Sequence, residues 1–91
     1  MDAKLEKAAE DILSGPHFSG IVCADTQGLC LLARGTGPAA ASGAVASLAD
    51  RAQSLHPGAG APTVCINYTG VDVLVQGRDD FTMGLIRIPG T

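Results

Sequence analysis

Tryptophan is absent from this 91-residue chain, and its only aromatic residues are Phe18, Tyr68 and Phe81. That leaves no platform on which nucleic-acid bases would stack. Cations are thin as well: Lys4 and Lys7 sit near the start, and Arg34, Arg51, Arg78 and Arg87 are spread along the rest. With a formal charge of −3, no basic patch forms by sequence proximity, which argues against a nucleic acid or an anionic membrane as partner. No apolar run approaches the ~18 residues that cross a bilayer. Signal-peptide, myristoylation and prenylation patterns are missing too, so any membrane association is expected to come through another protein. The three cysteines, Cys23, Cys30 and Cys65, have no paired spacing, and no histidines cluster with them. Neither a disulfide framework nor a zinc site is expected, and the odd count predicts a reducing compartment.

What is present is apolar material, 46% of residues against 16% charged. Residues 1–91 read as a single domain, and a chain this short hides only about 60–65% of the surface its unfolded form exposes. More apolar side chain is available than one small core hides, so part of it is expected to face a partner.

The spacing of Leu5, Ala8, Ala9, Ile12 and Leu13 predicts a helix over residues 2–14, capped by Asp2 and ended by Gly15-Pro16. Residues 18–25 and 29–34 read as two strands. A two-residue primed turn between them would force the β-branched Thr26 to positive φ, so a three-residue loop with a left-handed Gly28 is the cheaper solution. That register sets Asp25 opposite Leu29, Cys23 opposite Leu31 and Ile21 opposite Ala33. It places Ile21, Cys23, Leu29 and Leu31 on one face and Val22, Ala24, Cys30 and Leu32 on the other. Both faces are apolar, so both need covering. A second helix is expected over 38–55, capped by Thr36 or Gly37, with a stripe of Ala41, Val45, Leu48, Ala52 and Leu55. Its flank of Ala40, Gly43, Ala44 and Ser47 is nearly free of bulk, which lets another backbone approach. After a Gly/Pro loop over 56–62 come strands at 63–68, 71–76 and 81–88, joined by short turns. The reading is an α/β fold of order α-β-β-α-β-β-β: a five-stranded antiparallel sheet between two helical layers, without a C-terminal helix.

Chemistry-bearing residues are few. The expected register separates Cys23 from Cys30 across the sheet, and free cysteines inside strands behave as small hydrophobes. A nucleophile–base pair of Cys23 with His17 can be drawn, but nothing orients it. His17 and His56 each adjoin a proline at an element end. Asp72, Asp79 and Asp80 occupy strand and turn positions where solvated aspartates are ordinary. Gly35-Thr36-Gly37 either presents amides to an anion or simply leads into the helix, and it lacks the lysine and spacing of a phosphate loop. No catalytic residue, cofactor or metal is expected. The strongest signal is distributed: a small-residue helix flank beside the β-prone strand 63–68, which has no internal lysine or proline to block pairing if it lies at a sheet edge.

The pattern Gly20-x-x-Cys23-x-Asp25-x-Gln27-Gly28-Leu29, followed by Arg34-Gly35-Thr36, resembles the first hairpin of the hepatitis B X-interacting protein family. That family is the fifth late endosomal/lysosomal adaptor subunit of the Ragulator complex and a member of the roadblock class. The likeness continues in Leu5-Glu6 with Glu10-Asp11 and in the Val64-Cys65 strand, and it spans the whole chain in element order. It departs in the alanine- and glycine-rich second helix and in the loop 56–62. The resemblance implies a roadblock-like three-layer sandwich and a non-catalytic scaffold that pairs with another roadblock subunit through its second helix and third strand. It further implies a complex on the lysosomal or late endosomal surface, held by a different, lipidated subunit, that recruits Rag GTPases in amino-acid signalling to the TOR kinase complex. Carried onto this chain, the contact candidates are Ala41, Ala44, Val45, Leu48, Ala52, Val64, Cys65, Ile66, Asn67 and Tyr68. The rival expectations are a self-pairing roadblock protein, of the dynein light chain or bacterial GTPase-regulator type, and a small enzyme using Cys23 or Cys30.

Overall fold

Leu5, Ala9, Ile12 and Leu13 return to one side of a helix every three or four residues, and the chain is helical over Ala3–Ser14 (α1). The computed structural model describes residues 3–78 and 80–88, so the expected cap at Asp2 lies outside the described residues. At the other end of α1, the Ser14 hydroxyl donates to the Asp11 carbonyl and the Gly15 amide to the Ile12 carbonyl. These bonds occupy carbonyls that a helix terminus leaves open.

Two strands follow, β1 (Gly20–Asp25) and β2 (Cys30–Gly35). Their connection is the loop that steric reasoning favours. Gly28 takes φ +89° and donates to the Asp25 carbonyl, while the Asp25 carboxylate accepts from the amides of Gln27 and Leu29, each at 2.9 Å. Beyond the loop the register departs from expectation. Ala24 pairs with Cys30, but Cys23 pairs with Leu32 and Ile21 with Arg34, because a bulge interrupts the ladder between Cys23 and Ala24. Leu31 is the extra residue. The slip moves Leu32 to the face of Ile21 and Cys23, where it is buried. Leu29, expected beside them, is instead 68% exposed.

The second helix begins later than predicted. Residues Ala39–Ala41 form a 3-10 turn after Pro38, and the α-helix runs over Ser42–Leu55 (α2), without a side-chain cap. Its buried stripe is Ser42, Val45 and Ala49, with Leu48 half-buried beside it. Leu55, the last residue of α2, is 87% exposed. A second 3-10 turn (Pro57–Ala59) leads to β3 (Thr63–Tyr68), β4 (Val71–Gly77) and β5 (Phe81–Arg87).

All five strands join one antiparallel sheet in the order β2-β1-β5-β4-β3. Alternation sorts the side chains into two layers. Ile21, Cys23, Leu32, Met83 and Leu85 meet Ala9 of α1 on one face. Val75 meets Val45 and Ala49 of α2 on the other, with Val64 and Val73 against them. Gly84 makes the second contact close: a Cβ there would stand 2.9 Å from Cγ2 of Val45. The helix sits low on the sheet because nothing projects beneath it.

Candidate functional site: an open strand beside a small-residue helix

The strand order leaves β3 and β2 as the two edges, and they are finished differently. β2 carries the bulge at Leu31 and the charged Arg34, whose guanidinium binds the Ala33 carbonyl and lies 3.9 Å from Glu6 of α1. Bulges and charges are the usual protections of an edge. β3 reads Thr-Val-Cys-Ile-Asn-Tyr and has neither.

Which backbone groups β3 offers follows from its ladder with β4. Gly77 donates to the Pro62 carbonyl, and Thr63 to Tyr68 pair one for one with Gln76 to Val71. Hydrogen-bonded pairs alternate in an antiparallel ladder, so Val64, Ile66 and Tyr68 bond inward to β4. Thr63, Cys65 and Asn67 direct their backbone N–H and C=O groups outward, three donors and three acceptors in a row.

Beside this edge lies an apolar groove of about 170 Å³ on the α2 side of the sheet. Its helix wall is Ala41, Ala44, Val45 and Leu48, and its far wall is Ile66 and Tyr68. The floor adds Val73, Val75, Gly84 and Ile86. No Lys, Arg, Asp or Glu occurs between residues 35 and 49 or between 52 and 71, the two segments that build helix wall and edge. Charge depletion of this kind marks the buried centre of protein interfaces.

Six of the ten candidate contact residues thus meet in one place: Ala41, Ala44, Val45, Leu48, Ile66 and Tyr68. Their roles differ. Ala44 is exposed and Tyr68 is 59% exposed, whereas Val45 is 6% exposed and belongs to the chain's own core. Ala52 lies outside the groove, and Val64 packs inward on the core cluster of Val45, Ala49 and Val75. Cys65 and Asn67 are exposed on the opposite face of β3. Pro38, Val73 and Ile86 line the groove without having been singled out from sequence; the alternation of Val71, Val73 and Val75 was the signal for one of them.

Across that opposite face runs a polar ladder of three strands. The Asn67 amide nitrogen donates to one Asp72 oxygen at 2.9 Å, and Arg87 donates to the other at 2.8 Å. The Asn67 hydrogen bond, followed by that of Arg87, lowers the Asp72 pKa below its ordinary value of 3.8. Asp72 is an ionised structural group and no proton donor at neutral pH.

The other candidates for chemistry are accounted for structurally. Cys23 is wholly buried; burial first, and the neighbouring Cys30 thiol second, push its pKa up to about 11. A nucleophile needs the opposite shift. His17 is exposed, and among the described residues no hydrogen bond joins it to Cys23. The amides of Thr36 and Gly37 are already bonded to the carbonyls of Ser19 and Arg34, so this segment presents no free cradle to an anion. A Cβ at Gly37 would collide with the Ile21 carbonyl, which explains the glycine as close backbone packing. Among the described residues no group of His, Cys, Asp and Glu is placed to hold a metal ion, and no helix is long and apolar enough to cross a membrane. Asp79 lies outside the described residues.

Two helices on opposite faces of a β2-β1-β5-β4-β3 sheet, with β3 open, define a roadblock/LC7 fold. The roadblock/LC7 domain from Streptomyces avermitilis superposes with a TM-score of 0.75 over 90% of this chain and 76% of its own, at 14% identity. MglB in a tetrameric arrangement gives 0.76 over 99% of this chain and 79% of its own, at 18% identity. Within that class, residues 1–87 match the family model of Ragulator complex protein LAMTOR5, and the chain belongs to that family. A LAMTOR5 homolog of Nematostella vectensis is 31% identical over 90 residues, 98% of this chain and 99% of its own. Ragulator complex protein LAMTOR5 of Xenopus tropicalis is 29% identical over 89 residues, covering 97% and 98%.

Proposed function

We propose that this chain is a non-catalytic scaffold subunit of a Ragulator-type complex, which it enters by heterodimerising with another roadblock-fold subunit. β3 adds to the partner's edge strand through the outward groups of Thr63, Cys65 and Asn67, while the groove beside α2 takes apolar side chains. The complex recruits Rag GTPases at the lysosomal or late endosomal surface in amino-acid signalling to the TOR kinase complex, and another subunit supplies the membrane anchor. The family membership supports the assembly, and the unprotected edge beside an uncharged groove supports the route into it.

A subunit whose surface is completed by a partner gains stability from it by linkage.

The test is co-expression of the tagged chain with the Ragulator subunits, with Cys65→Pro as the matched variant. Proline there removes one outward N–H and none of the bonds to β4. Recovery of a roadblock subunit by the wild-type chain and its loss with a folded Cys65→Pro variant is the expected result. A tight homodimer in sedimentation that recovers no Ragulator subunit would replace the proposal with self-pairing.

A further inference from the structure

Asn67 faces Asp72 across β3 and β4, and Asp72 faces Arg87 across β4 and β5. The Asp72 side chain between them is 13% exposed, and its carboxylate is bonded on both oxygens. An ionised carboxylate only accepts hydrogen bonds, so the Asn67 side chain has one permitted orientation, with its nitrogen turned inward to Asp72. The second N–H of that nitrogen lies toward Cys65 Sγ, at 3.8 Å. What Asn67 has left to offer is its amide oxygen, an acceptor fixed on the open edge of the sheet.

We propose that Asn67 determines which strands can pair with β3, by accepting a hydrogen bond from a donor side chain at the facing position of the partner. This rests on the reading of β3 as the docking edge. The donor is a hydroxyl, amide or cationic group, since cross-strand neighbours lie about 4.5–5.5 Å apart between Cβ atoms, within reach of such a bond. An Asp or Glu at that position is rejected. It brings no proton, and it meets the Asn67 acceptor with the Asp72 charge close behind. Asp72 and Arg87 are positioning residues that act through Asn67. The same device counts against one form of self-pairing: a second copy registered with Asn67 opposite Asn67 would set two acceptors together.

The experiment uses the full-length chain and, as probe, the roadblock-fold Ragulator subunit co-purified with it, with affinity read by titration and folding by circular dichroism. Asn67→Ala changes an exposed position and should weaken binding about two- to tenfold, the range of one net hydrogen bond. Asp72→Asn frees the amide to turn and should weaken binding by a similar factor. Combined with Asn67→Ala it should add nothing, whereas a merely structural role for Asp72 would make the two effects multiply. If Asp72→Asn fails to fold, Asn67→Asp breaks the same ladder from the exposed side and should bind more weakly than Asn67→Ala. An aspartate placed at the partner's facing position should cost more than tenfold. Wild-type affinity in Asn67→Ala, where Cys65→Pro abolishes binding, would overturn this assignment alone. Unimpaired binding by Cys65→Pro would overturn the strand-pairing proposal and this one with it.

Discussion

Replacing Ala44 by aspartate separates the docking surface from the core behind it. Ala44 is exposed, lines the groove and is the third residue of α2. In the free chain the substitution costs up to about 0.7 kcal/mol of helix propensity. A carboxylate in the first helical turn returns about 0.3–1 kcal/mol through the macrodipole, so stability should move by less than about 1 kcal/mol. Beneath a docked partner the balance changes. The carboxylate loses its water, and Pro38, Ala41, Leu48, Ile66 and Tyr68 around it supply no cation. Burying an unpaired charge costs several kcal/mol; at about 3 kcal/mol the Kd rises by a factor on the order of 10². Calorimetric titration against the co-purified roadblock subunit reads the affinity, and a far-ultraviolet spectrum confirms the fold. A folded Ala44→Asp chain that binds as the wild type does would refute the assignment of the groove to the interface. Val45→Asp is no substitute, because Val45 is buried over Gly84 and the variant would lose its fold before its partner.

Gly84→Val should cost about 1–3 kcal/mol in thermal unfolding, since the added side chain fills the space that lets α2 rest on the sheet. Cys65 should react with a thiol reagent in the native chain while Cys23 reacts only on unfolding, as mass spectrometry of the labelled peptides would read. Equal labelling of the two would contradict the burial of Cys23. Asp72 carries a depressed pKa, so its contribution to stability is present above the ordinary value of 3.8 and is lost as pH falls through the lower folded value. Asp72→Asn should therefore be less stable at neutral pH and should flatten the acid limb of the stability profile.

The order of elements was legible because each carries its own local signal: the 3.6-residue return in α1, the alternation of Val71, Val73 and Val75, and the left-handed demand at Gly28. The bulge was not. Leu31 and Leu32 are both apolar, so a one-residue slip exchanges like for like, and no polar side chain marks the error. The phase of α2 was blurred for a related reason. In a helix of alanine, serine and glycine the contrast between faces is small, and the buried stripe is Ser42, Val45 and Ala49, where the pattern gave Ala41, Val45, Leu48, Ala52 and Leu55. Its flank of Gly43, Ala44 and Ser47, continued by Ala40 of the preceding 3-10 turn, is exposed. Strand order is a tertiary property. That placed the openness of residues 63–68, and the meeting of Asn67, Asp72 and Arg87 from three strands, beyond any local pattern.

Amide hydrogen exchange along β3, resolved by residue before and after the partner binds, tests the pairing most directly. In the free chain Val64, Ile66 and Tyr68 should be protected by their bonds to β4, while Thr63, Cys65 and Asn67 exchange quickly. In the complex all six should be slow. Cys65 and Asn67 amides that remain fast with the partner bound would show that no strand has been added at this edge.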